Sequence, residues 1–107
     1  MDFLRRLFGG SQREPDEGMY FYIRSKRSGE VIRLRLDPNQ LTPQYEGERI
    51  SGYFTHKVVV GARSFERMEA DFYFDASKRL TEKTVTGGEF VGREEWAAQQ
   101  GANDPAS

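Results

Sequence analysis

From Met19 to Asp37 the chain reads M-Y-F-Y-I-R-S-K-R-S-G-E-V-I-R-L-R-L-D, two runs in which apolar and polar positions alternate with the period of a β-strand. Ser28-Gly29 lies between them as a turn, so the stretch predicts a β-hairpin. Folded about an even-numbered loop, it puts Phe21, Ile23, Ile32, Leu34 and Leu36 on one face and Tyr20, Tyr22, Arg24, Arg33 and Arg35 on the other. An odd loop would set Ile23 against Arg33, because a one-residue slip inverts every side chain of a strand. A second alternating pair, Tyr53 to Val60 and Phe65 to Asp75, predicts another hairpin. Its apolar positions match across an odd loop through Gly61-Ala62-Arg63-Ser64, pairing Phe54 with Phe72, His56 with Ala70 and Val58 with Met68. On the opposite face Lys57 then meets Glu69 and Tyr53 meets Tyr73. Arg79 to Thr86, rich in Thr and charge, reads as an edge strand protected against further pairing. Gly87-Gly88 ends it, and Glu89 to Val91 adds a short extended piece.

The remaining segments lack a strand period. Asp37 to Gly52 contains Pro38, Pro43, Gly47 and Gly52 and predicts a long loop, pinned to the sheet by Leu41, Tyr45 and Ile50. Arg93 to Gln99 predicts a short helix with acidic residues in its first turn and Trp96 as its anchor. Residues 1–10 predict a short amphipathic helix: Asp2 caps it, Phe3, Leu4, Leu7 and Phe8 share a face, Arg5 and Arg6 lie opposite, and Gly9-Gly10 stops it. Residues 11–18 read as a flexible linker and residues 100–107 as a disordered tail. The expected fold is α+β, mainly β: an antiparallel meander sheet of about five strands with short N- and C-terminal helices, in a single β-rich domain over residues 19–99.

Composition narrows the functional classes. At 107 residues, 36% hydrophobic and 31% charged, the chain has room for one core. Its formal net charge of −1 provides no global attraction for nucleic acid or anionic membrane, so such binding needs a local patch. With no cysteine it has neither disulfides nor thiolate chemistry. No apolar run approaches the ~20 residues that cross a bilayer, and no signal peptide is read at the start. The expected location is cytoplasmic, the membrane surface being one of the places where residues 1–10 could dock.

Catalysis finds little support. His56 is the sole histidine and falls on the apolar face in the register above. Neither glycine pair has the Lys and Ser/Thr spacing of a phosphate loop. No enzyme activity, cofactor or bound metal is expected. The Tyr20, Tyr22, Arg24, Arg33 and Arg35 face, extended by Lys57 and Tyr73, offers rings and cations as single-stranded nucleic acid binders do. Glu69 and Asp71 on the same face would repel phosphate, so nucleic acid is the alternative rather than the expected partner. A two-turn helix needs a surface to lie on. The Phe3, Leu4, Leu7 and Phe8 face therefore either packs on its own sheet or anchors the domain to a partner protein or membrane. The expected function is a non-enzymatic interaction module tethered in that way.

Four stretches carry a resemblance: Leu7-Phe8-Gly9-Gly10, Tyr22 to Glu30 (Y-I-R-S-K-R-S-G-E), Arg63-Ser64-Phe65, and Gly87-Gly88-Glu89-Phe90 with Glu94-Glu95-Trp96. The chain resembles a group of small uncharacterised bacterial proteins that carry Y-x-R-C-x-x-C-G-E and a later R-C-F. Their C-x-x-C-G turn is similar to a zinc knuckle. The resemblance implies a metal site at Ser25, Ser28 and Ser64, where this chain has serine for each cysteine. A neutral hydroxyl is a poor zinc ligand beside a thiolate, so the implied site is a relict that holds no metal. In a meander the Ser28-Gly29 turn and the Gly61 to Ser64 turn fall at the same end, which would bring the three serines together.

Overall fold

The computed structural model describes residues 18–102. Among them are seven strands: β1 (Met19–Ser25), β2 (Val31–Leu36), β3 (Thr42–Glu46), β4 (Arg49–Val60), β5 (Arg67–Asp75), β6 (Leu80–Thr86) and β7 (Gly88–Val91). A 3₁₀ turn at Pro38–Gln40 and a helix, α1 (Arg93–Ala102), complete the described elements. The protein is mainly β and antiparallel, as expected. Its strands form two sheets, however, β2-β1-β7 and β3-β4-β5-β6, in place of one meander of about five strands. Two corners carry the chain between them. At the first, Asp37 accepts the Asn39 amide at 2.9 Å and Pro38, with no N–H to satisfy, opens the 3₁₀ turn. At the second, Gly87 at φ +87 passes the chain from β6 back to β7.

The first hairpin pairs as the alternation predicts, Phe21 with Leu34, Ile23 with Ile32 and Tyr22 with Arg33. Its apolar face closes on the second sheet around Ile23, Leu36, Val59, Met68, Ala70, Phe72 and Phe74, all buried. Phe72 is the hub, with ring centroids 4.6 Å from Phe21 and 5.9 Å from Phe90. Such aromatic pairs add about 0.5–1.5 kcal/mol each beyond the area they bury. On the other side of the first sheet lies α1, whose Trp96 meets Tyr22 at 5.8 Å.

The second hairpin corrects the expected register. Phe54 faces Tyr73, Thr55 faces Phe72, His56 faces Asp71 and Val59 faces Met68, one residue away from the predicted pairing. Apolar matching could not choose, because β4 carries large apolar residues on both faces. The turn chooses: Gly61 donates to the Glu66 carbonyl at 2.9 Å, closing six residues where an odd loop was expected. Consequently His56 leaves the apolar face. Its Nδ1 lies 2.6 Å from Asp71 and its Nε2 3.3 Å from Glu69 on the outer face of the second sheet.

The predicted long loop is also corrected. Thr42–Glu46 is an edge strand that turns through Gly47, φ +68, straight into β4. Pro43 fits because an edge strand can spare an N–H. Leu41 packs against the core as expected, whereas Tyr45 is 63% exposed and pins nothing. β6 is the expected edge strand. Residues Gln100 to Ala102, expected in a disordered tail, belong to α1. No helix among the described residues is long and apolar enough to cross a membrane.

Candidate functional site: the paired turns

Two turns meet at one end of the domain, and they are built alike. In the first, Ser25 donates its amide to the Glu30 carbonyl at 2.9 Å and Gly29 donates to the Ser25 carbonyl at 2.9 Å. In the second, Gly61 donates to Glu66 at 2.9 Å and Phe65 donates to Gly61 at 3.1 Å. The Ser28 hydroxyl accepts the Glu30 amide at 3.1 Å, and the Ser64 hydroxyl accepts the Glu66 amide at 3.3 Å. The sequences say the same, R-S-G-E at residues 27–30 and R-S-F-E at residues 63–66. Each short hydroxyl bonds the backbone two residues on, a common local device of turn serines.

Each turn's glutamate crosses to the other turn. The Glu30 carboxylate, on a residue only 9% exposed, accepts the amides of Ala62 at 3.0 Å, Arg63 at 3.3 Å and Ser64 at 3.0 Å. Burial pushes its pKa up, but those amides and the Ser64 hydroxyl outweigh it and hold the carboxyl below the usual range. In return Glu66 bonds the Ser25 hydroxyl and pairs with Arg27 at 3.0 Å. Ser25, 1% exposed, also accepts the amides of Arg27 and Ser28, each at 3.2 Å. The second turn has no side chain at the matching position, Gly61, where a Cβ would stand 2.6 Å from Glu30 Oε1. The Glu30 carboxylate fills that space, doing for the second turn's amides what the Ser25 hydroxyl does for the first. From α1, Gln99 clamps the first turn, donating to the Gly29 carbonyl at 2.8 Å and accepting the Val31 amide at 2.9 Å.

The two turns also differ at their fifth position. Gly29 takes φ +80, which glycine adopts freely, and Phe65 stands at the corresponding place with φ +61. A bulky residue in that region is a backbone outlier. Phe65 is moreover 77% exposed, the most exposed large apolar side chain described.

The predicted site residues are distributed as follows. Ser25, Ser28 and Ser64 are brought to this one end, Ser28 and Ser64 lining a common cleft of about 300 Å³. The Tyr/Arg face of the first sheet is the seat of α1: Tyr22 packs on Trp96, and the Arg33 guanidinium lies 5.1 Å from the Tyr20 ring and 4.6 Å from Trp96. Arg24 is paired with Glu89 at 3.2 Å and with Glu95. Arg35 is exposed on the same face. Lys57 and Tyr73 belong to the second sheet and do not extend that face. Phe3, Leu4, Leu7 and Phe8 lie outside the described residues. Glu30, Glu66 and Phe65 are the residues that sequence reasoning missed, and the R-S-x-E repeat was the signal for all three. Comparison with protein-family models, with curated proteins and with solved structures finds no match to the chain.

Proposed function

We propose that the protein is a non-enzymatic interaction module whose folded binding surface is the end made by the two turns. The observation that carries this reading is Phe65. The fold holds a large apolar ring in water, in a conformation costing about 1–2 kcal/mol, at a position where its twin turn uses glycine. Strain of that kind persists where surrounding structure over-determines it and is drawn to binding and catalytic sites. The Glu30 cradle supplies the rigidity here, which lowers the ordering cost of a partner's docking. Residues 1–10, through Phe3, Leu4, Leu7 and Phe8, supply a tether to the same partner.

Stability measurements test the reading without knowing the partner. Asn tolerates positive φ, so Phe65→Asn is expected to leave the domain folded and to raise its stability by about 0.5 kcal/mol in chemical denaturation. A gain would show that Phe65 is held at a cost to stability, as backbone strain at functional sites is. A loss above about 1 kcal/mol would make Phe65 a structural residue and remove the basis of the proposal.

A second reading has its own observation. Ser25 receives the amides of Arg27 and Ser28, while Ser28 and Ser64 each receive one more, as thiolates would in a pair of facing metal knuckles. This favours descent from a metal-binding domain, with the Glu30 and Glu66 carboxylates closing the space. The triple variant Ser25→Cys, Ser28→Cys and Ser64→Cys is expected to take up one zinc per chain by elemental analysis. Zinc content no higher than that of the parent chain would end this reading.

A further inference from the structure

The end carrying Phe65 has a charge unlike the rest of the molecule. Lys26, Arg27, Arg63 and Arg67 are all exposed around it. Only two carboxylates sit among the turn residues: Glu30, enclosed by the second turn's amides, and Glu66, paired with Arg27 and bonded to Ser25. On a chain with formal net charge −1, this tip is net positive. A cleft of about 430 Å³ opens between the turns, lined by Lys26, Arg27, Phe65, Glu66 and Arg67 among others. Arg67 also lies 3.7 Å from Glu69, at the surface, where such a pair is weak and readily exchanged.

An apolar ring projecting from a rigid turn, with cations set beside it, matches an anionic lipid interface in two respects. The ring enters the boundary between headgroups and acyl chains, and the cations meet lipid phosphates and carboxylates. A single-stranded nucleic acid stacks its bases on successive rings, and this tip presents one. We propose that the paired turns dock on an anionic phospholipid surface, Phe65 entering the interface while Lys26 and Arg67 hold the headgroups. This rests on the reading of the tip as the binding surface and names its partner. The segment at residues 1–10, with Arg5 and Arg6 against a single Asp2, carries the same sign of charge.

Co-sedimentation of the full chain with vesicles tests it. The chain is expected to bind vesicles of phosphatidylcholine mixed with phosphatidylserine and to ignore vesicles of phosphatidylcholine alone. Phe65→Asn, and separately the double change Lys26→Gln with Arg67→Gln, are each expected to lower partitioning about tenfold. Deleting residues 1–10 should weaken binding further while leaving the Phe65→Asn effect in place. If that deletion abolishes binding and Phe65→Asn changes nothing in the full chain, the lipid proposal falls and only the tether survives. Binding of polyglutamate or an oligonucleotide that depends on Phe65, without vesicle binding, overturns the lipid partner but keeps the tip as the surface. Inorganic phosphate perturbing the Lys26 and Arg67 amides without vesicle binding overturns it likewise. No binding to any probe, together with destabilisation by Phe65→Asn, removes both readings.

Discussion

Glu30→Ala should cost the domain about 2–3 kcal/mol, a fall in melting temperature of roughly 10–15 °C. The carboxylate is the acceptor for the Ala62, Arg63 and Ser64 amides. Hydrogen bonds to a charged group contribute about 1.5–3 kcal/mol, and donors left without a partner add a penalty that water at this exposed turn partly relieves. Conversion to temperature follows from about 4–8 °C per kcal/mol in a domain of this size. Glu30→Gln keeps an acceptor oxygen and loses the charge, so it should cost about half as much. Acid provides the second measurement. The carboxyl is held below its ordinary pKa in the folded state, so its contribution is complete above the ordinary glutamate value and disappears as pH falls through the lower folded value. Asp75 is also held down, by the Arg79 amide first of all, and contributes with the same sign. The difference between parent and Glu30→Gln is therefore what isolates Glu30: it should shrink toward zero as pH drops below about 4. A difference that stays constant across that range would mean that the charge on Glu30 does not hold the turns together.

The same glutamate shows where the sequence was legible and where it was not. The first hairpin could be read because its two faces differ in kind, aliphatic and Phe against Tyr and Arg, so only one register keeps the charges out of the core. The second hairpin offered Phe54 and Val58 on one face of β4 and Tyr53 and Val59 on the other, and apolar matching selected the wrong one. What decides that register is polar: the closure of Gly61 on Glu66 and the seating of the turn on Glu30. In a linear sequence Glu30 and Glu66 look like ordinary solvated charges, and the contacts that define them span more than thirty positions. β3 was hidden by Pro43, which forbids a central strand but permits an edge.

The convergence of Ser25, Ser28 and Ser64 was anticipated from the resemblance together with the idea that the turns share an end. They do share an end, though the turns come from different sheets and meet across the core rather than along one meander. Phe65 could not have been read as a positive-φ residue from its own identity, since phenylalanine is among the residues least expected there. Only its place in the R-S-x-E repeat, opposite Gly29, marks it. The Tyr/Arg face was the opposite case. Its composition was conspicuous, and the structure uses it as a seat for Trp96 and as one half of the Arg24 ion pairs.

Gly88→Ala should be the most damaging small substitution in the second corner, costing about 3 kcal/mol, while Gly87→Ala, one residue earlier, should cost about 1–2 kcal/mol. The neighbouring glycines serve different ends. Gly87 has φ +87, and a Cβ there would meet nothing nearer than the Met68 Cγ at 3.4 Å, so its penalty is conformational. Gly88 has ordinary backbone angles but lies where β7 pairs with Ser25 on β1, and a Cβ would stand 2.7 Å from the Arg24 carbonyl oxygen and 2.9 Å from both Ile23 Cγ2 and Met68 Sδ. Backbone cannot move aside as a side-chain tip can, so β7 must shift off β1. Because β7 leads directly into α1, that shift should loosen the grip of Gln99 on Gly29 and Val31. Hydrogen exchange should then quicken at Val31, whose amide is held by Gln99 alone in α1, more than at the Ile23 amide deep in the β1–β2 ladder. If Gly88→Ala costs no more than Gly87→Ala, or if Val31 keeps its protection, then β7 does not hold the helix against the turn, and the first turn must owe its shape to the Glu30 and Glu66 contacts alone.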